Sequence, residues 1–438
     1  MGLRFASMLA VFAALCQAQW RAGVAKVRIT PERPVWMAGY DGRTGPSEGA
    51  LHDIWVKALA LESAGAVSAI VTFDLVGVNP SIAGPLAERA EKLGIPRERL
   101  LLNASHTHTG PAAGEEWIER YAYRMNDAQI AASREYGQWL IGRAEQAIAS
   151  AVRNLAPARL SFEQGLAGIA VNRRRAVMSR ALPGVIDPDV PVLAVRSPEA
   201  ELRAVLFGYA SHNTTLGVNR ISGDYAGFAM IELERRYPGA TAMYMAGCGA
   251  DANPLPRRTV ELAESHGRTL AAAVAQVLDG RMKPVEGPLR AAYGHAPLPF
   301  APAPSIDELR KDSNSEHPIR RRHALQLLKI VERDGRLPDH YPAPVQVWRF
   351  GSGPMLIALS GEAVADYALR FKAKYGWDST WVAAYSNDVF AYVPSLRVLR
   401  EGGYEGGDSM LYRPLPGPFG AAVEETLAAK VDELARRP

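Results

Sequence analysis

The sequence predicts an α/β protein of one large domain, with mixed β-sheets flanked by helices and a metal site at strand ends. Apolar strand-like runs alternate with amphipathic helical runs, as at 69–73, 82–93 and 100–103. Several apolar runs end directly in polar clusters, and ligands of α/β folds gather beyond strand ends. A length of 438 residues allows one large domain or two to three smaller ones, and no internal repeat divides the chain.

Composition excludes some classes of function. Hydrophobic residues make up 48% of the chain and charged residues 22%, which is typical of soluble globular enzymes. The net charge of +4 is mild and scattered, and the arginine runs at 173–175 and 320–322 lack the interleaved aromatics of a single-strand binding surface. We therefore expect no nucleic-acid partner.

The N-terminus predicts export. Arg4 precedes an apolar run from Met8 to Leu15, and Cys16-Gln-Ala18 offers small residues for cleavage after Ala18. Residues 1–18 are thus interpreted as a signal peptide and 19–438 as a periplasmic or extracellular chain. Leu15 fits a lipoprotein cleavage site poorly, so a lipid anchor is not expected. Cleavage would leave Cys248 as the one thiol, which excludes an internal disulfide.

The first half of the chain carries most of the predicted sheet. Strands are expected at 23–30, 55–62, 69–73, 100–103, 192–195, 202–210 and 242–245, and helices at 82–93, 135–155, 228–237 and 259–278. Ser197-Pro198-Glu199 would join two of the strands as a hairpin. The segment 221–227 is predicted to be a tight loop before the helix at 228.

The second half changes character at about residue 287. Residues 287–344 are rich in proline and charge and are interpreted as an insertion or lid. Within them, Ser305-Ile-Asp-Glu308 forms a capping box, and a helix is predicted from Pro318 to Glu332 with Leu325 facing inward. Strands follow at 345–350, 355–359 and 381–385, then a Gly-rich loop at 401–407. A closing helix buries Val423, Leu427, Val431 and Leu434.

One motif, Asn103-Ala-Ser-His-Thr-His-Thr-Gly-Pro111, directly follows a predicted strand. Side chains two apart on a strand point to the same side, so His106 and His108 are expected to lie together. Two neutral imidazoles are a natural start for a zinc site, where Zn–N distances are ~2.0–2.1 Å. The alternative is a pair of histidines satisfied by turn backbone, and the spacing alone leaves both open.

Other strand ends carry His212, Glu362, and Asn387 with Tyr392. If the strands share a sheet edge, these clusters converge on one pocket. Two imidazoles and a carboxylate form a common catalytic zinc set that leaves room for water or substrate. The alternative is that each cluster stabilises its own loop.

The motif at 103–111 resembles the A-[ST]-H-T-H-[ST]-G-P segment of neutral ceramidases, zinc amidases that cleave N-acyl sphingosines. Further segments resemble that family in the same order: Asn172-Arg173, Tyr209-Ala-Ser-His212, Ile221-Ser-Gly-Asp224, Ser360-Gly-Glu362, Asn387 through Tyr392-Val393, and Tyr404-Glu405-Gly406. The resemblance therefore covers nearly the whole chain after residue 18.

The resemblance implies roles for individual residues. It places the Zn²⁺ ligands at His106, His212, Glu362 and Tyr392. It puts His108 beside the metal as a hydrogen-bonding or acid/base group, and Arg173 and Tyr404 toward the substrate. The implied partner is a small-molecule or lipid amide, with transient contact to a membrane surface and no protein partner.

Two departures limit the resemblance. The family's nucleophilic serine lies in G-D-V-S-P-N, and here Asn253 stands at its position in Ala250-Asp251-Ala252-Asn253-Pro254. The sequence also stops where those enzymes continue into a β-sandwich domain. An amide side chain cannot act as a useful nucleophile, so a serine mechanism is not expected, and the substrate is not carried over.

We therefore expect a zinc hydrolase in which metal-bound water attacks an amide, or an ester. His108 would move the proton, its ordinary pKa near ~6.5 suiting that role. Asn253 would steady the oxyanion, and Asp251 would either orient a ligand histidine or cap its loop. Cys248 as a replacement nucleophile has no identified base. The rival function is a catalytically weak or inactive zinc-stabilised protein that binds lipids or amides.

Overall fold

A computed structural model describes residues 20–174 and 184–437, so the predicted signal peptide lies outside the described residues. The larger of its two main sheets has nine strands. Eight of them run in the order β4-β3-β2-β1-β5-β7-β8-β9, and β11 pairs with β5. Their bounds are β1 Trp20–Arg28, β2 Trp55–Ser63, β3 Ala66–Phe73, β4 Leu100–Ala104, β5 Ala156–Leu166, β7 Asp189–Arg196, β8 Leu202–Tyr209, β9 Thr241–Ala246 and β11 Lys283–Pro284. The pairs β3–β4 and β8–β9 are parallel and the others antiparallel, so the predicted mixed α/β class is confirmed.

A second sheet of four strands has the order β12-β13-β14-β16. Its strands are β12 Leu289–Pro299, β13 His340–Phe350, β14 Met355–Leu359 and β16 Thr380–Ala383. Two short pairs complete the β-structure, β6 Ala170–Asn172 with β10 Ala252–Pro254, and β15 Glu362–Ala363 with β17 Tyr392–Val393.

Eleven helices are described. They are α1 Pro80–Glu91, α2 Glu115–Tyr121, α3 Asp127–Arg153, α4 Asp224–Arg236, α5 Val260–Asp279, α6 Ile306–Asp312, α7 Pro318–Asp334, α8 Ala365–Tyr375, α9 Leu396–Glu401, α10 Gly403–Gly406 and α11 Val423–Arg436. Helix α3 begins with a capping box on Asn126, and the predicted box on Ser305 caps α6. Within the described ranges, no helix is long and apolar enough to cross a membrane.

The core lies in three layers between helices and sheets. The two sheets face each other through side chains such as Leu101 and Leu206 from the first and Trp348 and Leu356 from the second. Helix α3 covers the outer face of β1 and β2. Helix α11 covers the second sheet with Val423, Leu427, Val431 and Leu434, the four residues predicted from its periodicity. Burial on both faces explains why the strands are continuous apolar runs.

Four predictions differ from the structure. Helix α4 begins at Asp224, inside the predicted loop 221–227. The interpretation of 287–344 as one insertion is too broad, because β12 and the start of β13 are integral to the second sheet and only α6 and α7 lie between them. Leu325 of α7 is 46% exposed, because the buried face of this helix carries Ala324 and Leu327 instead. Part of the predicted Gly-rich loop 401–407 is helical, as α10.

Candidate metal centre

The predicted convergence of strand ends is present for the histidines, Glu362 and Tyr392, whereas the side chain of Asn387 contacts Leu102 and Gln346 instead. Asn103 joins the two sheets at this point. Its Nδ2 donates to the carbonyl of Ala384 at 2.7 Å, and its Oδ1 accepts from the backbone N–H of Ala246 at 3.0 Å. The ends of β4, β9 and β16 are therefore held together by one buried amide. This junction brings the polar residues that follow each strand into one cluster.

His106 and His108 meet by a different route from the predicted one. Strand β4 ends at Ala104, and His106 has a left-handed backbone with φ of 59°, so strand alternation does not apply. Their Nε2 atoms nevertheless lie 3.2 Å apart. The backbone N–H of His108 donates to Asn213 at 3.3 Å, which joins the motif to the loop that carries His212.

Both His106 and His212 have a fixed orientation. Nδ1 of His106 lies 2.6 Å from the carbonyl oxygen of Val76, and Nδ1 of His212 lies 2.9 Å from that of Gly249. A carbonyl only accepts, so each Nδ1 carries a proton and each ring directs its Nε2 into the cluster. Backbone carbonyls that hold a histidine in this way are the usual outer partners of a metal-ligating imidazole.

Glu362 completes the cluster from β15. Its Oε2 lies 3.2 Å from Nε2 of His106 and 3.4 Å from Nε2 of His212. This carboxylate is 3% exposed, and Oε2 accepts no hydrogen bond from the residues that the structure describes. The guanidinium of Arg413 is 3.8 Å from the other oxygen, Oε1.

The electrostatics favour neutral imidazoles at His108 and His212 and an ionised carboxylate at Glu362. Burial lowers the pKa of His212 to about 4, and burial with the neighbouring His106 and His212 lowers the pKa of His108 well below its usual range. Burial opposes ionisation of Glu362, but His106 and His212 outweigh it and hold its pKa well below the ordinary value. Neutral nitrogen and anionic oxygen are the ligand forms that Zn²⁺ requires.

The residues fit a metal ion. Suitable nitrogen atoms of His106, His108 and His212 all lie within 4.8 Å of one another. Two Nε2 atoms and a carboxylate oxygen face one another in a buried site, and these are atoms through which imidazole and carboxylate bind Zn²⁺. His108 adds a third nitrogen, so the structure offers one ligand more than the resemblance assigned.

Tyr392 joins this cluster to Arg173. Its hydroxyl oxygen lies 3.2 Å from Nε2 of His212, and Nη2 of Arg173 donates to it at 3.1 Å. Arg173 also donates from Nε to Glu405 at 2.6 Å. Burial, with Glu362 adding to it, raises the pKa of Tyr392 well above its ordinary value. Tyr404 is 40% exposed and its ring contacts that of Tyr392, with centroids 5.2 Å apart, so it borders the outer side of the cluster.

Asp251 directly precedes β10, and Asn253 is the middle residue of that strand. The backbone N–H of His212 donates to Ala252 at 3.0 Å, which places Asn253 beside the cluster, and Oδ1 of Asn253 accepts from Thr214 at 3.3 Å. Asp251 accepts from the N–H of Ala365, at the start of α8, and from Asn172. Among the described contacts none joins Asp251 to a histidine ring; its carboxylate instead links the start of α8 to β6.

Cys248 and His266 can also be placed in the structure. Burial raises the pKa of the Cys248 thiol far above its ordinary value, which makes it a poor nucleophile. His266 is buried on α5 and its Nε2 lies 2.7 Å from the carbonyl oxygen of Pro256, as expected of a packed histidine.

Three residues at the site were not predicted. Tyr385 stacks on the His106 ring with centroids 4.3 Å apart and has φ of 53°. Gly39 has φ of 99°, and a Cβ there would lie 2.4 Å from the His108 ring, so only glycine leaves room for that imidazole. Arg413 follows a helical turn near the C-terminus. The Gly39-Tyr40-Asp41-Gly42 run is the one sequence signal that could have identified a constrained loop; Tyr385 and Arg413 stand in ordinary local patterns.

Comparison with known proteins supports the fold. No family model matches the sequence, and no curated protein matches it either. Among solved structures, "Ceramidase complexed with C2" matches with a TM-score of 0.72 at 18% identity, covering 95% of this chain and 76% of that one. Neutral ceramidase from Pseudomonas aeruginosa matches with a TM-score of 0.71 at 20% identity, covering 96% and 75%. The chain therefore has the neutral ceramidase fold.

Proposed function

We propose that the protein is an exported zinc-dependent hydrolase that cleaves the amide bond of ceramide-type or other N-acyl amides. The ceramidase fold and the histidine cluster support this proposal. The pattern of residues 4–18 supports export.

One observation carries the proposal. Oε2 of the buried Glu362 lies 3.2 Å from Nε2 of His106 and 3.4 Å from Nε2 of His212, so three ligating atoms of the kinds that bind zinc face one another. Two imidazole nitrogens held on one buried carboxylate oxygen form the donor set of a catalytic zinc site. We therefore assign His106, His212 and Glu362 as metal ligands, with Tyr392 as the fourth.

The remaining residues support the chemistry around these ligands. A bound zinc ion supplies a Lewis acid that lowers the pKa of water to about 7. Arg173 places a positive charge beside the Tyr392 oxygen and thereby favours its anionic, ligating form. Glu405 in turn fixes the Arg173 side chain. Arg173 is thus a positioning residue for Tyr392 as well as a group near the substrate.

Asn253 determines the type of nucleophile. Its amide cannot attack a carbonyl carbon, so the reaction proceeds by attack of water and forms no acyl-enzyme. Because Thr214 donates to Oδ1, the Nδ2 group of Asn253 is left to donate to the oxyanion. His108 relays the proton to the leaving amine. Its lowered pKa keeps the ring neutral near pH 7, so the protonated form exists only transiently.

The test uses the purified chain that begins at residue 19. Elemental analysis is expected to find one zinc ion per chain, and a panel of N-acyl amides, esters and peptides with matched acyl groups is expected to show amide hydrolysis. Absence of zinc in the fresh protein, with none taken up on addition, refutes the metal assignment. Zinc and amide binding without turnover would favour the binding-protein function. N-terminal sequencing of protein from the periplasm or medium tests cleavage after Ala18.

A further inference from the structure

An arginine-lined cavity lies next to the cluster and is not used by the chemistry above. It has a volume of about 170 Å³ and is lined by Tyr40, Arg43, Gly217, Asn219 and Arg258 with two neighbouring loop residues. One aromatic ring separates it from the metal centre, because the Tyr40 ring contacts that of His108 with centroids 4.8 Å apart. Arg43 also donates to the carbonyl of His108 at 2.7 Å.

The cavity has an excess of positive charge. Within residues 20–174 and 184–437, no carboxylate forms an ion pair with Arg258 or with the adjacent Arg257. The positive charges of Arg258 and Arg173 also lie close enough to Arg257 to lower its pKa, after burial. Burial, and after it the nearby Asp224, raises the pKa of Tyr40, but the Asp224 carboxylate accepts backbone N–H groups of Thr215 and Leu216.

Arg258 is held in place by its backbone. Its φ of 102° is rare for a residue with a side chain, and its N–H donates to the carbonyl of Thr215 at 2.7 Å. The guanidinium lies over the Tyr40 ring at 5.6 Å and above Gly217, where a Cβ would come within 2.9 Å of Nη1. Nη1 of Arg258 also donates to the Tyr40 hydroxyl at 3.5 Å, and no carboxylate of the described residues pairs with it. An exposed guanidinium that is held in this way and has no carboxylate partner is suited to binding an anion.

We propose that this cavity, the Arg258 site, binds an anionic group on the amine half of the substrate. The inference rests on the proposed amide hydrolysis and narrows its substrate class to N-acyl amides whose amine carries a carboxylate, sulfonate or phosphate. The volume holds such a group but not an acyl chain. An apolar chain among unpaired guanidinium groups would also leave their charges without solvent, so the acyl half lies on another side of the metal centre.

The test compares substrates that share a dodecanoyl group and differ in the amine. N-dodecanoylglycine, N-dodecanoyltaurine and N-dodecanoyl-phosphoethanolamine carry the three anions, and N-dodecanoylethanolamine is the neutral control. The wild type is expected to favour at least one anionic substrate through a lower KM. Arg258→Gln is expected to reduce that preference about 10- to 100-fold, the usual effect of losing a charge-assisted hydrogen bond. Arg290→Gln is the control, at an exposed position at the opposite end of the second sheet. It should leave the preference for anionic over neutral substrates unchanged.

Calorimetric binding separates this inference from the proposed function. If the protein hydrolyses none of these amides but binds the anionic ones more tightly, and Arg258→Gln removes the difference, the Arg258 site stands and the hydrolase proposal fails. If the protein hydrolyses the neutral amide as well as the anionic ones, or if Arg258→Gln weakens all substrates equally, the anion site is refuted and the hydrolase proposal stands.

Discussion

The charge of Glu362 is expected to control zinc binding, and Glu362→Gln isolates that charge. The substitution keeps the size of the side chain and replaces Oε2 or Oε1 with an amide nitrogen. In the wild type, Oε2 lies 3.2 and 3.4 Å from two imidazole nitrogens. An amide has no negative charge to offer a cation, so zinc affinity should fall sharply while the fold is retained.

The expected size follows from binding linkage. Zinc at 1,000 times its dissociation constant stabilises the folded state by about 4 kcal/mol. With an unfolding entropy of about 2.1 cal/mol/K per residue, this stabilisation raises the melting temperature of a chain of this length by about 4–5 °C. Replacing an outer partner of a ligand costs about 10–100-fold in affinity, so losing a ligand's charge should cost at least about 100-fold. At the same zinc concentration, the rise in melting temperature that zinc produces in Glu362→Gln is then only about 1–2 °C.

The assay is thermal unfolding with and without zinc after chelation. The compared quantity is the increase in melting temperature that zinc produces in each protein. The melting temperatures themselves are not compared, because Glu362→Gln also changes the contact with Arg413 and hence the metal-free stability. Glu116→Gln is the matched control, since the carboxylate of Glu116 accepts hydrogen bonds from Ser81 away from the cluster. The control should keep the full increment. An unchanged increment in Glu362→Gln would show that the carboxylate does not bind the metal.

Three more predictions follow from individual side chains. His108→Ala should retain zinc by elemental analysis and lose about 10²–10⁴-fold in turnover, whereas His106→Ala should lose the metal; loss of zinc in both would make His108 a ligand. Asn253→Ala should keep measurable hydrolysis with a loss of about 10²–10³-fold, and neither form should show a burst or transfer the acyl group to hydroxylamine; an acylated side chain in mass spectra would contradict attack by water. Burial raises the pKa of Asp388 to about 7, so its ionisation costs stability as pH rises from about 4 through 7. Metal-free Asp388→Asn should therefore be more stable than the metal-free wild type by about 2–4 kcal/mol above pH 7, an advantage that shrinks toward zero near pH 4; a constant difference across that range would exclude the titration.

The sequence by itself determined the class of the fold and most of its elements. Strands buried on both faces are continuous apolar runs, and helices such as α11 bury one stripe of apolar residues. Both kinds of element can therefore be predicted from the local sequence pattern. The order of the motifs also identified His106, His212, Glu362 and Tyr392 as candidates, and the structure brings all four together.

Only the tertiary structure decided how these residues meet. The two histidines of the motif converge because His106 adopts a left-handed backbone, not because they alternate on a strand. Tyr385 and Arg413 were also identified only by the tertiary structure, because their segments have no distinguishing local pattern. The contacts of Asp251 likewise depend on tertiary structure, since its partners belong to α8 and β6. The cavity at Arg258 likewise depends on a backbone conformation and on three separate loops. Local periodicity reports which face of an element is buried, whereas a site is made by contacts between residues far apart in the chain, and these depend on the packing of the two sheets.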